Sequence, residues 1–171
     1  MGSGRLSWGM ASIQLETVIE APAGRVFDLA RSIDAHMASA SQSGERAVAG
    51  VTSGLIGLGD EVTWEARHFG IRQRLCVRVT DFERPQMFAD EMVSGAFESM
   101  RHVHRFVEVD GGTRMVDEFT FRAPLGRLGR IAEWVFLTRY MRRFLLERNR
   151  ILKETAESDA WSAYLPAGSG L

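Results

Sequence analysis

The chain has 171 residues, 45% of them hydrophobic and 25% charged, with a formal net charge of −1. That length suits one domain with a real core, and so small a net charge gives no long-range field that would draw in nucleic acid or an acidic lipid surface. The single cysteine, Cys76, excludes an internal disulfide and suits a reducing, cytoplasmic setting; although Arg74 and Arg78 share its strand, it reads as a passive thiol.

Met1 to Met10 contains no apolar run resembling a signal peptide, and no stretch approaches the roughly 20 apolar residues of a membrane span. Ser12 to Glu20 alternates, with Ile13, Leu15, Thr17 and Ile19 on one side, as in a half-buried strand. Ala21-Pro22 ends it. Val26, Phe27 and Ala30 then recur at helical spacing, and Ile33 to Ala40 predicts a second short helix.

Glu45 to Val51 reads as a strand, and Gly54, Gly57 and Gly59 make a turn-rich link after it. Glu61 to His68 and Ile71 to Val79 both alternate, joined at Phe69-Gly70. Pairing about that loop sets Val62 against Val77 and Trp64 against Leu75, so the two apolar faces agree. Ile71 and Gln73 are placed on the inner face with Leu75, Val77 and Val79. Beyond the turn at Pro85, Met87 to Val93 is a strand, Ser94-Gly95 a turn, and Phe97 to Val109 a long strand.

Asp110-Gly111-Gly112 is the best hairpin signal in the chain. Thr113 to Ala123 is the last strand, and Pro124-Leu125-Gly126 breaks it. A helix runs from Arg127 to about Glu157, and its apolar face changes phase near Leu137. The segment Leu128 to Phe136 is expected to line an entrance, while Phe144, Leu145, Ile151 and Leu152 face the sheet. The order is strand, two helices, six strands and a long helix, which is an α+β arrangement. One domain is expected over 12–157, with 1–11 and 158–171 as loosely packed termini.

Four stretches carry a resemblance to a known family. They are Ile19-Glu20-Ala21-Pro22 with Val26-Phe27; Gly59-Asp60 leading into Val62 to Trp64; Phe88, Asp90, Gly95 and Phe97 continuing to His102, His104 and Phe106; and Asp117, Pro124-Leu125-Gly126 and Arg148. With them the chain, over about Ile13 to Glu154, resembles the START-like superfamily of polyketide cyclase/dehydrase proteins, pollen-allergen-type carriers and coenzyme-Q-binding proteins, and within it a bacterial subgroup. One departure is Met100, where that subgroup favours Trp.

The resemblance implies a helix-grip fold: a curved antiparallel sheet of about seven strands wrapped around a long C-terminal helix, with two short helices after the first strand. It implies an internal cavity that binds a small hydrophobic molecule such as a lipid, quinone, isoprenoid or polyketide. It implies no cofactor and no metal. The expected lining is Trp64, Leu75, Asp90, Met92, Met100 and His102, with His104, Phe106, Asp117, Phe119, Phe121 and Arg148.

Polar residues on apolar faces are the informative feature. A two-residue Asp110-Gly111 loop pairs His104 with Asp117 and His102 with Phe119, and Asp90 falls beside Met100 or His102. Arg148 sits in the middle of the helix's apolar face, where an unpaired guanidinium is costly. It is therefore expected to pair with Asp117 or Asp90.

Four roles suit this cluster. One is a structural ion-pair network; another is orientation of a ligand in an apolar pocket. The third is an acid/base pair of a cyclase or dehydratase, using His104, His102 and Asp117. The fourth is a two-His-one-carboxylate metal site, with Arg148 competing for the acid. A regulatory protein with a vestigial pocket is a further alternative. His68 is expected at a pocket rim and His36 in a structural role.

Overall fold

The computed structural model describes residues 10–40, 44–68, 70–122 and 130–166, with side chains for all but 130–134. Strand β1 (Ala11–Ile19) is followed by helices α1 (Ala23–Ala30) and α2 (Ile33–Ser39). Six strands follow: β2 (Arg46–Gly50), β3 (Glu61–His68), β4 (Ile71–Glu83), β5 (Met87–Gly95), β6 (Ser99–Val109) and β7 (Gly112–Arg122). The long helix α3 (Arg130–Glu157) and a short 3-10 helix (Asp159–Ala163) complete the chain.

All seven strands form one antiparallel sheet in the order β1-β7-β6-β5-β4-β3-β2. The two edges are thus β1 and β2, which are joined through α1 and α2. This is the expected α+β helix-grip arrangement.

The registers follow from side-chain alternation and turn chemistry. Val62 pairs with Val77 and Trp64 with Leu75. The β6–β7 hairpin closes on Asp110-Gly111, with Gly111 at φ +78°, a conformation that glycine adopts without strain. It sets His104 opposite Asp117 and His102 opposite Phe119, and Asp90 pairs with His102 across β5–β6. Two expectations shift. Strand β5 continues through Ser94 and Gly95, because both pair with β4. Ile71 is 63% exposed at the end of the β3–β4 hairpin, where its cross-strand partner His68 takes the contact with α3.

The core has two parts. In one, Phe27 of α1 sits edge-on to Phe82, Phe88 and Phe106, with Ile19, Leu152 and Ala156 around it. Asp28, also buried, receives Arg31 and Arg84. The other part holds Ile13, Leu15, Val62, Trp64, Phe119 and Leu145. Of the stretch 158–171, expected to pack loosely, the described residues 158–166 make contacts with the body of the domain: Arg25 of α1 lies 4.4 Å over the Trp161 ring, and Leu165 is buried. Those aromatic and aliphatic side chains have apolar surface to cover, which the composition of the tail obscures.

Helix α3 carries two adjacent stripes, each at i, i+4, i+7 and i+11 spacing. Leu145, Asn149, Leu152 and Ala156 form the buried stripe. Leu137, Met141, Phe144 and Arg148 form the second, turned one residue toward a hollow. Phe144 and Ile151 are therefore only half-buried, not packed flat on the sheet with Leu145 and Leu152. Among the described residues no helix is long and apolar enough to cross a membrane.

Candidate functional site: a polar-ended cavity between sheet and helix

The hollow between α3 and the inner face of the sheet has a volume of about 400 Å³. Strands β3 and β4 contribute Trp64 and Leu75; β5 to β7 contribute Asp90, Met100, His102, His104 and Phe119; α3 contributes Arg148. These are eight of the twelve side chains that the sequence singles out. The remaining four lie elsewhere. Phe106 is taken up by the aromatic cluster under α1, Phe121 is packed 1% exposed in the core and Met92 packs at its edge. Asp117, 1% exposed, lies behind the histidines and not on the wall.

Strand parity brings the polar groups together at one end. Asp117 Oδ1 faces His102 Nε2 at 3.0 Å and His104 Nδ1 at 2.7 Å. Its other oxygen, Oδ2, accepts from Asn149 Nδ2 at 2.6 Å. On the far side of His104, Nε2 stands 3.6 Å from Asp90 Oδ1. The two imidazoles lie 3.8 Å apart, centre to centre, and Phe88 stacks on His104.

Burial alone would raise the Asp117 carboxyl, but the hydrogen bonds from His102 and His104 outweigh it and hold the group well below the usual carboxylate range. Burial likewise works against the charge on Asp90, and His104, His102 and Arg148 together bring it below its ordinary value. The histidines diverge. Burial and the charge on His104 push His102 down to about 4. Burial also works downward on His104, but its bonds to Asp117 and Asp90 prevail and raise it. One ring is thus neutral at physiological pH, and the other is the preferred home of the proton.

The expected ion pair of Arg148 with Asp117 or Asp90 does not form. Among the described residues no carboxylate oxygen lies within 4.0 Å of its guanidinium, whereas the Asp117 acceptors are taken by His102, His104 and Asn149. The physical reason is the stripe offset on α3. Position 149, not 148, points at β7, so an amide satisfies the buried acid and the guanidinium is turned into the cavity. Asn149, 5% exposed, was not among the expected site residues. Its signal was its place four residues after Leu145 and three before Leu152.

A second polar group lines the cavity from α2 and the segment before β2. His36 Nε2 and Glu45 Oε2 lie 3.0 Å apart, and the His36 ring stacks on Trp64 at 4.0 Å. His36 is therefore a wall residue, beyond the structural role expected of it. His68, half-buried, meets the Tyr140 hydroxyl at 2.6 Å through Nδ1, and burial lowers its pKa. Of the predicted entrance segment, residues 128 and 129 and the side chains of 130–134 lie outside the described residues. Phe136 lines the cavity and is 59% exposed.

Residues 10–157 match the family described as polyketide cyclase / dehydrase and lipid transport. No curated protein matches the chain in sequence. Among solved structures, the Zhui aromatase/cyclase from Streptomyces sp. R1128 superposes with a TM-score of 0.72 at 15% identity, covering 90% of this chain and 98% of that one. The protein TTHA0849 from Thermus thermophilus gives 0.70 at 19%, covering 85% and 97%. Major latex-like protein 151 from Panax ginseng gives 0.63 at 11%, covering 87% and 99%. At these identities the likeness is one of fold.

Proposed function

The chain belongs to the polyketide cyclase / dehydrase and lipid transport family, and from that premise we propose that it binds a small hydrophobic molecule in the cavity under α3. The observation that carries this reading is the second stripe of the helix. Leu137, Met141 and Phe144 line open volume and pack only in part against the core of the sheet. A helix would bury those side chains against neighbours unless something else covers them. The volume of about 400 Å³ falls within the range of small-molecule sites.

The ligand class is a lipid, quinone, isoprenoid or polyketide-like molecule with an apolar body and at least one oxygen. Arg148 supplies donors for that oxygen, and Asp90, His102 and His104 close the same wall. A regulatory protein with a vestigial pocket would have a collapsed interior, and the open cavity weighs against that alternative. Native mass spectrometry of the purified chain tests the reading. A retained small molecule, or saturable uptake of an environment-sensitive apolar dye that Phe119→Trp reduces, supports it. A chain with neither does not serve as a carrier.

A second reading, turnover of the bound molecule, has one observation in its favour. Asp117 orients both His102 and His104, and His104 Nε2 faces Asp90 on the cavity wall, a carboxylate–imidazole pair suited to proton transfer. Consumption of the retained molecule by the wild type and not by His104→Gln is the expected outcome.

A further inference from the structure

We infer that Asp90, His102 and His104 form a binding site for one divalent transition-metal ion on the cavity wall. His102 and His104 stand two apart on β6, so both rings leave the same face of the strand. Asp90 reaches that face from β5, where it pairs with His102. One ligand atom from each of the three lies within 4.8 Å of the others. His104 Nε2 and Asp90 Oδ1 are 3.6 Å apart. Two ligands held about 2.0–2.2 Å from a common ion stand about 3.0–3.5 Å apart in octahedral or tetrahedral geometry. That gap needs to contract only slightly.

The surroundings favour the same conclusion. Histidines that bind metals donate their other ring N–H to a carboxylate, which fixes the tautomer. Asp117 stands in that position for both rings, at Nε2 of His102 and Nδ1 of His104. With the proton that His104 shares with Asp90 displaced by the ion, this directs the lone pair of each neutral ring to His102 Nδ1 and His104 Nε2. Asn149 in turn holds Asp117 from α3. Arg148 makes no ion pair with Asp90, so the guanidinium does not occupy the carboxylate, although its charge still acts on Asp90 and His104. Two carboxylates within the cluster offset the charge of a dication. Two imidazoles and one carboxylate suit Zn(II), Co(II) or Fe(II) over the oxygen-seeking Mg(II) and Ca(II). All three ligands lie on the cavity wall, so the remaining coordination positions face the volume that an organic molecule would occupy.

The inference does not depend on the apolar-ligand reading, and metal alone tests it. The full chain, untagged and stripped with chelator, is titrated with Co(II) and Zn(II) by calorimetry, with visible spectra recorded for Co(II). One ion per chain is expected, with nitrogen/oxygen d–d bands, no thiolate charge-transfer band from Cys76, and a metal-dependent rise in melting temperature. Asp90→Asn, which keeps the side chain's shape, and His104→Gln should each weaken binding about 100-fold or more. Asp117→Asn, which leaves all three ligands in place, should weaken it about 10–100-fold. His36→Gln and His68→Gln should bind as the wild type does. The absence of saturable binding by the wild type overturns the assignment. So does a thiolate spectrum, or an equal loss in His36→Gln.

Discussion

Asn149 on α3 donates from Nδ2 to Oδ2 of Asp117 on β7 across 2.6 Å, and this bond joins the long helix to the polar end of the cavity. Asp117 Oδ1 is occupied by two histidines, so among the described residues Asn149 alone satisfies the second oxygen. Asn149→Leu should therefore leave a buried acceptor without its partner and destabilise the fold by about 1–3 kcal/mol. Asn149→Asp should cost more, because it sets one buried carboxylate against another. Urea denaturation measures both. Unchanged midpoints would mean that the bond does not anchor the helix.

The strands were legible because alternation, a glycine hairpin and matched apolar faces all constrain one register. The pairs Val62–Val77 and His104–Asp117 were therefore predictable from parity together with a two-residue hairpin loop. The helix was less legible. A phase error of one residue separates Arg148 from Asn149, and an amide in an apolar stripe attracts less notice than a guanidinium. The His36–Glu45 pair was hidden for another reason. It joins α2 to the segment before β2, a tertiary contact that no periodicity encodes.

Among the described residues Arg148 has no ion pair to lose. Arg148→Leu should therefore fold with stability within about 1 kcal/mol of the wild type, not with the loss of about 3–5 kcal/mol that breaking a buried pair brings. Its effect should fall on the cavity, where a donor to the ligand is replaced by apolar surface. Thermal denaturation and native mass spectrometry, run side by side, separate the two. A large drop in melting temperature with unaltered ligand retention would contradict this assignment.

Phe144 and Leu145 are neighbours in sequence but lie on different stripes of α3. Leu145, 2% exposed, fills the core, and Leu145→Ala should cost about 2–5 kcal/mol. Phe144 walls the cavity and is half-buried. Phe144→Ala should cost less than the roughly 3–5 kcal/mol of a fully buried phenylalanine, while admitting bulkier apolar probes. Equal destabilisation by the two truncations would mean that Phe144 belongs to the core.

The His36–Glu45 pair should make stability depend on pH in two successive windows. Burial, and secondarily the charge on Arg148, lower the pKa of His36 from 6.5, against the opposing pull of Glu45 and Asp90. The unfolded chain thus takes up this proton first, and stability falls as pH drops below 6.5 toward the folded value. Burial would raise Glu45, but His36, Arg148 and His68 outweigh it and lower its pKa from 4.5. Its contribution is present above 4.5 and is lost as pH falls through the lowered value. Both windows therefore act in the same direction. His36→Gln keeps a donor for Glu45, removes the upper window and weakens the lower one, which rests first on His36. Denaturation midpoints from about pH 7 to about pH 5 should fall less steeply in His36→Gln than in the wild type, a comparison that separates His36 from the other buried imidazoles. Parallel curves would show that His36 carries no such load.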